Sequence, residues 1–168
     1  KVQWLKLNWF DETAIKCADK FEVRKYVEKR IGEEYLNEIY GIYEKPDEID
    51  FNSLPDSFVL KATHASGFNI ICKNKKDLKI KKARKKMKRW LKIKYYLKKG
   101  EWVYKGIKPR ILCEKFLDCG DNSIPKDYKF FCFDGEPKFM YVACDRETVT
   151  KFDFYDLEWN KLPVSQYY

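Results

Sequence analysis

The sequence predicts an α+β fold, with helices packed on one face of a mostly antiparallel sheet. Three observations carry this. Apolar residues recur at helical spacing after Asp19 and again after Ala83. FVLKAT, FNIICK, RILCEKFLD and PKFMYVACD are short runs rich in β-branched, apolar and aromatic residues, as strands are. Asp134-Gly135, between DYKFFCF and PKFMYVACD, is a strong hairpin signal.

Each element has its own reason. KVQWLKLNW is apolar and mixed, and reads as part of a helical start. In DKFEVRKYVEKRIGEEYL, Phe21, Val23, Tyr26, Val27 and Ile31 fit one helix face. Asp19 is the expected N-cap, Glu22 completes a capping box, and Gly32 is the stop. NEIYGIY alternates like a strand. KPDEIDFNSLPDS is a loop punctuated by Pro46 and Pro55. FVLKAT and FNIICK are joined by HASG. A basic helix is expected over 73–99, then the connector EWVYKGIKP, the strand RILCEKFLD and the loop CGDNSIPK. The hairpin and a last strand in FDFYDLEWNKLP follow. No internal repeat is visible.

At 168 residues, the chain is one domain or two small lobes. Hydrophobic residues make up 45% and aromatics 17%, enough to build a core rather than a disordered chain. No apolar run approaches the roughly 20 residues that span a bilayer. The start lacks the apolar stretch of a signal peptide. Six cysteines form no C-x-x-C pair, and with one histidine no zinc site of familiar spacing is expected. Cys72, Cys113, Cys132 and Cys144 lie in apolar runs and read as buried free thiols of a reducing compartment.

The net charge of +9 is unevenly placed. Residues 73–99 hold fifteen Lys or Arg against one acid, Asp77, so this segment carries +14 and the remainder −5. Three readings stay open: a solvated helix face, an anionic partner such as an acidic polymer or membrane surface, or nucleic acid. The last has no zinc finger, basic-zipper or RNP pattern beside it.

FVLKATHASGFNIICK suggests chemistry. On alternating strands, Lys61 and Lys73 fall along one open face. Ala65, Ser66 and Gly67 are small enough for backbone N–H groups to approach an anion. Two ammonium groups beside that loop suit a polyphosphate. The Walker pattern is absent, and a plain hairpin with solvated lysines is the competing reading. His64 reads as a loop donor rather than a base. RILCEKFL ends at Glu114, Lys115, Phe116 and Leu117, where a strand's backbone edge and apolar sides could hold a nucleotide base. DYKFFCFDGEPKF adds Asp127 and Lys129.

The order of strand, lysine, small-residue loop, strand, lysine, helix, strand and Glu-Lys-Phe-Leu resembles the nucleotide lobe of ATP-grasp enzymes, including D-alanine–D-alanine ligases. KVQWLKL, DKFEVRKYVEKRIGEEYL, DEIDFNSLPDSFVLKATHASG, KPRILCEKFL, PKDYKFFCFDGEPKFMYV and DR…FYDLEWNKLP resemble, more narrowly, the TupA-like ATP-grasp family of teichuronopeptide, capsule and related surface-polysaccharide biosynthesis. The resemblance implies a partial ATP-grasp-like fold, with a helical lead-in over 1–55 and an incomplete nucleotide-binding lobe over 56–168. It implies an ATP-dependent carboxylate–amine ligase using ATP and Mg²⁺. Lys61 would contact phosphates and His64–Gly67 would close over them. Glu114, Lys115, Phe116 and Leu117 would surround adenine, and Asp127 would meet the ribose. Lys129, Asp145 and Arg146 would face the cleft, with Arg146 neutralising a carboxylate or phosphate.

The family pattern continues beyond SQYY, so the expectation is the ATP-lid half of a larger cytoplasmic enzyme, inactive alone, with its Mg²⁺ ligands after residue 168. A polyanionic saccharide or polypeptide acceptor would be drawn to the +14 segment, as would the inner face of a membrane. Two other functions remain open: a glycosyltransferase-associated protein of the same pathway without ligase activity, and a non-enzymatic basic module.

Overall fold

The computed structural model describes residues 2–118, 120, 125–144 and 150–164. The chain divides into two compact units, 1–116 and 117–168.

The first unit opens with three short helices, α1 (Val2–Asn8), α2 (Glu12–Ala18) and α3 (Glu22–Ile31). Asp11 starts α2 by accepting the Thr13 N–H at 2.7 Å. The N-cap of α3 is Phe21 rather than the expected Asp19, which lies two residues earlier and supports the helix start from there, its Oδ1 accepting the Phe21 N–H at 2.8 Å and the Glu22 N–H at 3.4 Å. Glu22 does not complete a capping box. Its carboxylate goes instead to the Arg110 guanidinium at 3.0 Å, where both partners carry full charge. Gly32, at φ +110°, ends α3 in a conformation closed to most L-residues.

The strands β1 (Ile39–Tyr43), β2 (Phe58–Ala62), β3 (Asn69–Cys72) and β4 (Ile111–Lys115) form one antiparallel sheet in the order β1-β4-β2-β3. Phe58, Leu60 and Ala62 of β2 share a face with Cys72 of β3 and Ile111 and Cys113 of β4. That face carries the core, closed by Ile49, Phe51 and Leu54 and by the helix α4 (Ile80–Leu91). Ala83, Met87 and Trp90 are the buried stripe of α4, at the spacing the sequence predicts. Burying a side chain of the size of Met87 stabilises the unit by about 2 kcal/mol. Its other positions are mainly lysine and arginine, which remain in water.

The basic segment is not one helix. A 3-10 turn at Lys75–Asp77, capped by the Asn74 side chain, precedes α4, and a separate α5 (Tyr95–Lys99) follows it. α4 closes with Lys92 as its C-cap. The Trp90 carbonyl bonds the Ile93 N–H at 3.0 Å in a tightened last turn, and the His64 ring also reaches it. A 3-10 turn at Trp102–Gly106 leads into β4.

The second unit is an antiparallel meander of β5 (Asp127–Phe133), β6 (Glu136–Cys144) and β7 (Lys151–Tyr155). Asp134 and Gly135 both take positive φ, +54° and +84°, as a two-residue hairpin turn requires. Phe131 stacks on Phe139 at 4.4 Å, and Tyr141 packs on Phe152 and Phe154. Cys72 and Cys113 are buried, as expected, but Cys132 is exposed beside the β5 bulge. Burial pushes the Cys113 thiol up to about 12, so it stays an unreactive core group.

Asp19 and Arg110 tie the N-terminal helices to the sheet. Their side chains are 5% and 15% exposed and lie 3.0 Å apart. Replacing Asp19 by Ala removes both the support of the helix start and the charge partner. The expected loss is about 3 kcal/mol, read as a lower urea midpoint at unchanged m-value.

Candidate functional site

The face of the first sheet opposite the core carries the candidate site. Lys61 lies opposite Leu112 and one diagonal step from Glu114, since Val59 is the residue facing Glu114. The Lys61 ammonium pairs with the Glu114 carboxylate. Lys61 keeps a third of its side chain exposed while Glu114 is largely covered.

The HASG loop sits at the end of this strand pair, and its two halves differ. His64 and Ala65 are buried, whereas Ser66 and Gly67 are exposed. Three contacts hold the buried half. The Thr63 N–H bonds the Arg110 carbonyl at 3.0 Å. His64 Nε2 lies 3.2 Å from the Trp90 carbonyl, which can only accept, so Nε2 carries the proton. Phe68 stacks on the Trp90 indole at 5.5 Å and 15°. Gly67, at φ +74° with open space where a Cβ would stand, forms the tip of the loop.

Lys20 completes the cluster, and sequence reasoning passed over it. It follows Asp19 in the turn between α2 and α3. Its ammonium donates to the Ala65 carbonyl and its N–H to the Thr63 carbonyl at 3.4 Å. Burial lowers its pKa, the Lys61 charge lowers it further, and Asp19 and Glu114 oppose both. Nothing in helical periodicity says where the tip of a lysine in a turn ends.

The sequence-expected residues are thus only partly gathered. Lys61, Glu114 and the loop come together. Lys73 does not sit beside the loop: Asn69 faces Lys61, so Lys73 is four residues farther along, about 13 Å of strand. It shares the Lys61 face but lies at the far end of the hairpin, because two short strands turn at the loop, not before it. Lys115 is exposed and 3.5 Å from Glu38, with its N–H bonded to the Glu38 carbonyl and its carbonyl to the Asn37 amide. Phe116 is buried. Leu117, half exposed, opens the second unit. Asp127 and Lys129 lie two apart on β5, 3.6 Å between their charged atoms. Asp145 and Arg146 fall outside the described residues. Among the described residues no cluster of His, Cys, Asp and Glu side chains could hold a metal ion.

Two ammonium groups, one carboxylate and an exposed small-residue loop on a sheet edge suit a polyphosphate ligand. The helices and antiparallel sheets agree with a partial ATP-grasp-like fold. The model of the TupA-like ATPgrasp family matches residues 1–168, and the chain belongs to that family. Comparison with curated proteins and with solved structures returns no match.

Burial holds the His64 pKa below its ordinary 6.5, against the Trp90 bond, which favours the charged ring. The unfolded chain therefore takes up a proton first as pH falls. Stability is full above about 6.5 and declines below it. His64 is the one histidine of the chain. Urea midpoints between about pH 7 and 5.5 should fall for the parent chain and stay flat for His64→Gln.

Proposed function

We propose that the chain is the nucleotide-binding part of an ATP-dependent carboxylate–amine ligase acting in cell-surface polysaccharide or teichuronopeptide biosynthesis. The observation that carries the reading is the meeting of Lys20, Lys61 and Glu114 under the HASG loop, in a chain of the TupA-like ATP-grasp family.

In this reading Lys61 and Lys20 neutralise phosphate oxygens, and Glu114 keeps the two ammonium groups from repelling one another when no anion is present. Ser66 and Gly67 offer backbone N–H groups to the same oxygens. Glu114, Lys115 and Phe116 take the adenine. A substrate carboxylate oxygen attacks the terminal phosphorus, and ADP leaves. The amine then attacks the acyl carbon and inorganic phosphate leaves, so one amide forms for each ATP used. Closure of the loop would exclude water, which competes with the amine. Mg²⁺ would supply further charge neutralisation, but the described residues offer no cluster for it, and none of these roles depends on the metal being held by them.

Titration of a non-hydrolysable ATP analogue with Mg²⁺, followed by calorimetry near physiological salt, tests this. Saturable binding is expected, weakened about tenfold or more in Lys61→Ala and in Lys20→Ala, and untouched by single-stranded DNA. Lys73→Ala should lose much less. Salt-sensitive DNA binding without nucleotide binding would instead support a basic module.

A further inference from the structure

The start of the chain carries a surface that the nucleotide reading leaves unused. On α1, Trp4 and Leu7 are 62% and 76% exposed and lie one turn apart on the same stripe. Phe10 follows, 68% exposed, with its ring 5.0 Å from Trp102. Trp9 meets the same indole edge-on at 5.8 Å. Lys105 stands exposed beside Phe10 and Trp102 along the rim of a shared cleft.

The patch is linked to the basic segment through the Trp102–Gly106 turn. Tyr104 of that turn packs on Tyr95 of α5 at 5.0 Å, and Leu97 and Lys98 of α5 are exposed. The apolar side chains at the start of the chain are therefore linked, through Trp102 and Tyr104, to the C-terminal end of the +14 segment. Two acids, Asp11 and the exposed Glu12, also line the cleft, and Asp11 accepts the Thr13 N–H.

We propose that this surface docks on an anionic lipid bilayer. The choice of partner rests on needing both chemistries at once. A dissolved polyanion or nucleic acid would satisfy the lysines and leave Trp4, Leu7 and Phe10 in water. A second copy would cover the apolar groups while bringing +9 against +9. A bilayer interface accepts indoles at headgroup depth, Leu and Phe at the acyl boundary, and lysines among lipid phosphates. No helix among the described residues is long and apolar enough to cross a membrane, so the contact is peripheral. The inference stands apart from the nucleotide reading, and either can fail alone.

Flotation of the 168-residue chain with vesicles of phosphatidylcholine, or of phosphatidylcholine with one third phosphatidylglycerol, tests it. Binding to the anionic vesicles should exceed binding to the neutral ones at least tenfold. The combined Trp4→Gln, Leu7→Gln and Phe10→Gln variant should lose about tenfold in partitioning with an unchanged circular dichroism spectrum. Brominated acyl chains should quench tryptophan emission in the parent chain. Undiminished binding of the triple variant would overturn the proposal, leaving the lysines alone responsible. So would absence of vesicle binding, and a dimer lost in the triple variant would then assign the patch to a second copy.

Discussion

Antiparallel pairing of β2 with β4 sets Lys61 opposite Leu112 and diagonal to Glu114, and the geometry of the candidate site follows from that register. A slip of one residue would turn Lys61 into the core and Leu60 out of it. The slip is opposed from the other face, where Phe58, Leu60 and Ala62 are fully buried with Ile111 and Cys113. Core packing therefore fixes the charge pair on the opposite side of the same strands. Thr63 continues the pairing beyond β2, its N–H on the Arg110 carbonyl and its hydroxyl bonded to the Lys108 carbonyl at 3.1 Å.

The basic helix and the HASG loop are mechanically joined. Trp90 is the joint: its carbonyl faces His64, its indole stacks on Phe68, and Lys86 stands over its ring at 5.1 Å. The buried half of the loop is thereby held by α4, while Ser66 and Gly67 alone extend into water. On the other side Lys20 fastens Ala65 to the turn between α2 and α3, and Arg110 fastens that turn to the start of β4 through Asp19. The N-terminal helices thus position a site residue instead of merely leading into the lobe.

Local pattern was enough for most of the fold. Short runs of β-branched, apolar and aromatic residues mark the strands around the loop, Asp134-Gly135 marks the hairpin, and Gly32 ends α3 where a positive φ is needed. What local pattern could not reach was settled by partners distant in sequence. His64 meets the Trp90 carbonyl at the end of α4 from 26 residues away, and Glu22 bonds Arg110, 88 residues away, in place of a capping box. The site shows the same division. Alternation alone does not say which of Lys61 and Lys73 lies near the loop; the register does, by setting Lys61 opposite Asn69. Lys20 was illegible because a long side chain on a turn has no periodicity, and only the fold shows that its tip meets Ala65.

Acylation footprinting of the lysines, with and without a non-hydrolysable ATP analogue and read by mass spectrometry, is the most direct test of the central claim. Protection of Lys20 and Lys61, with the exposed α4 residues Lys81 and Lys82 unchanged, is the predicted result. Protection spread over the α4 lysines while Lys20 and Lys61 label as before would contradict it.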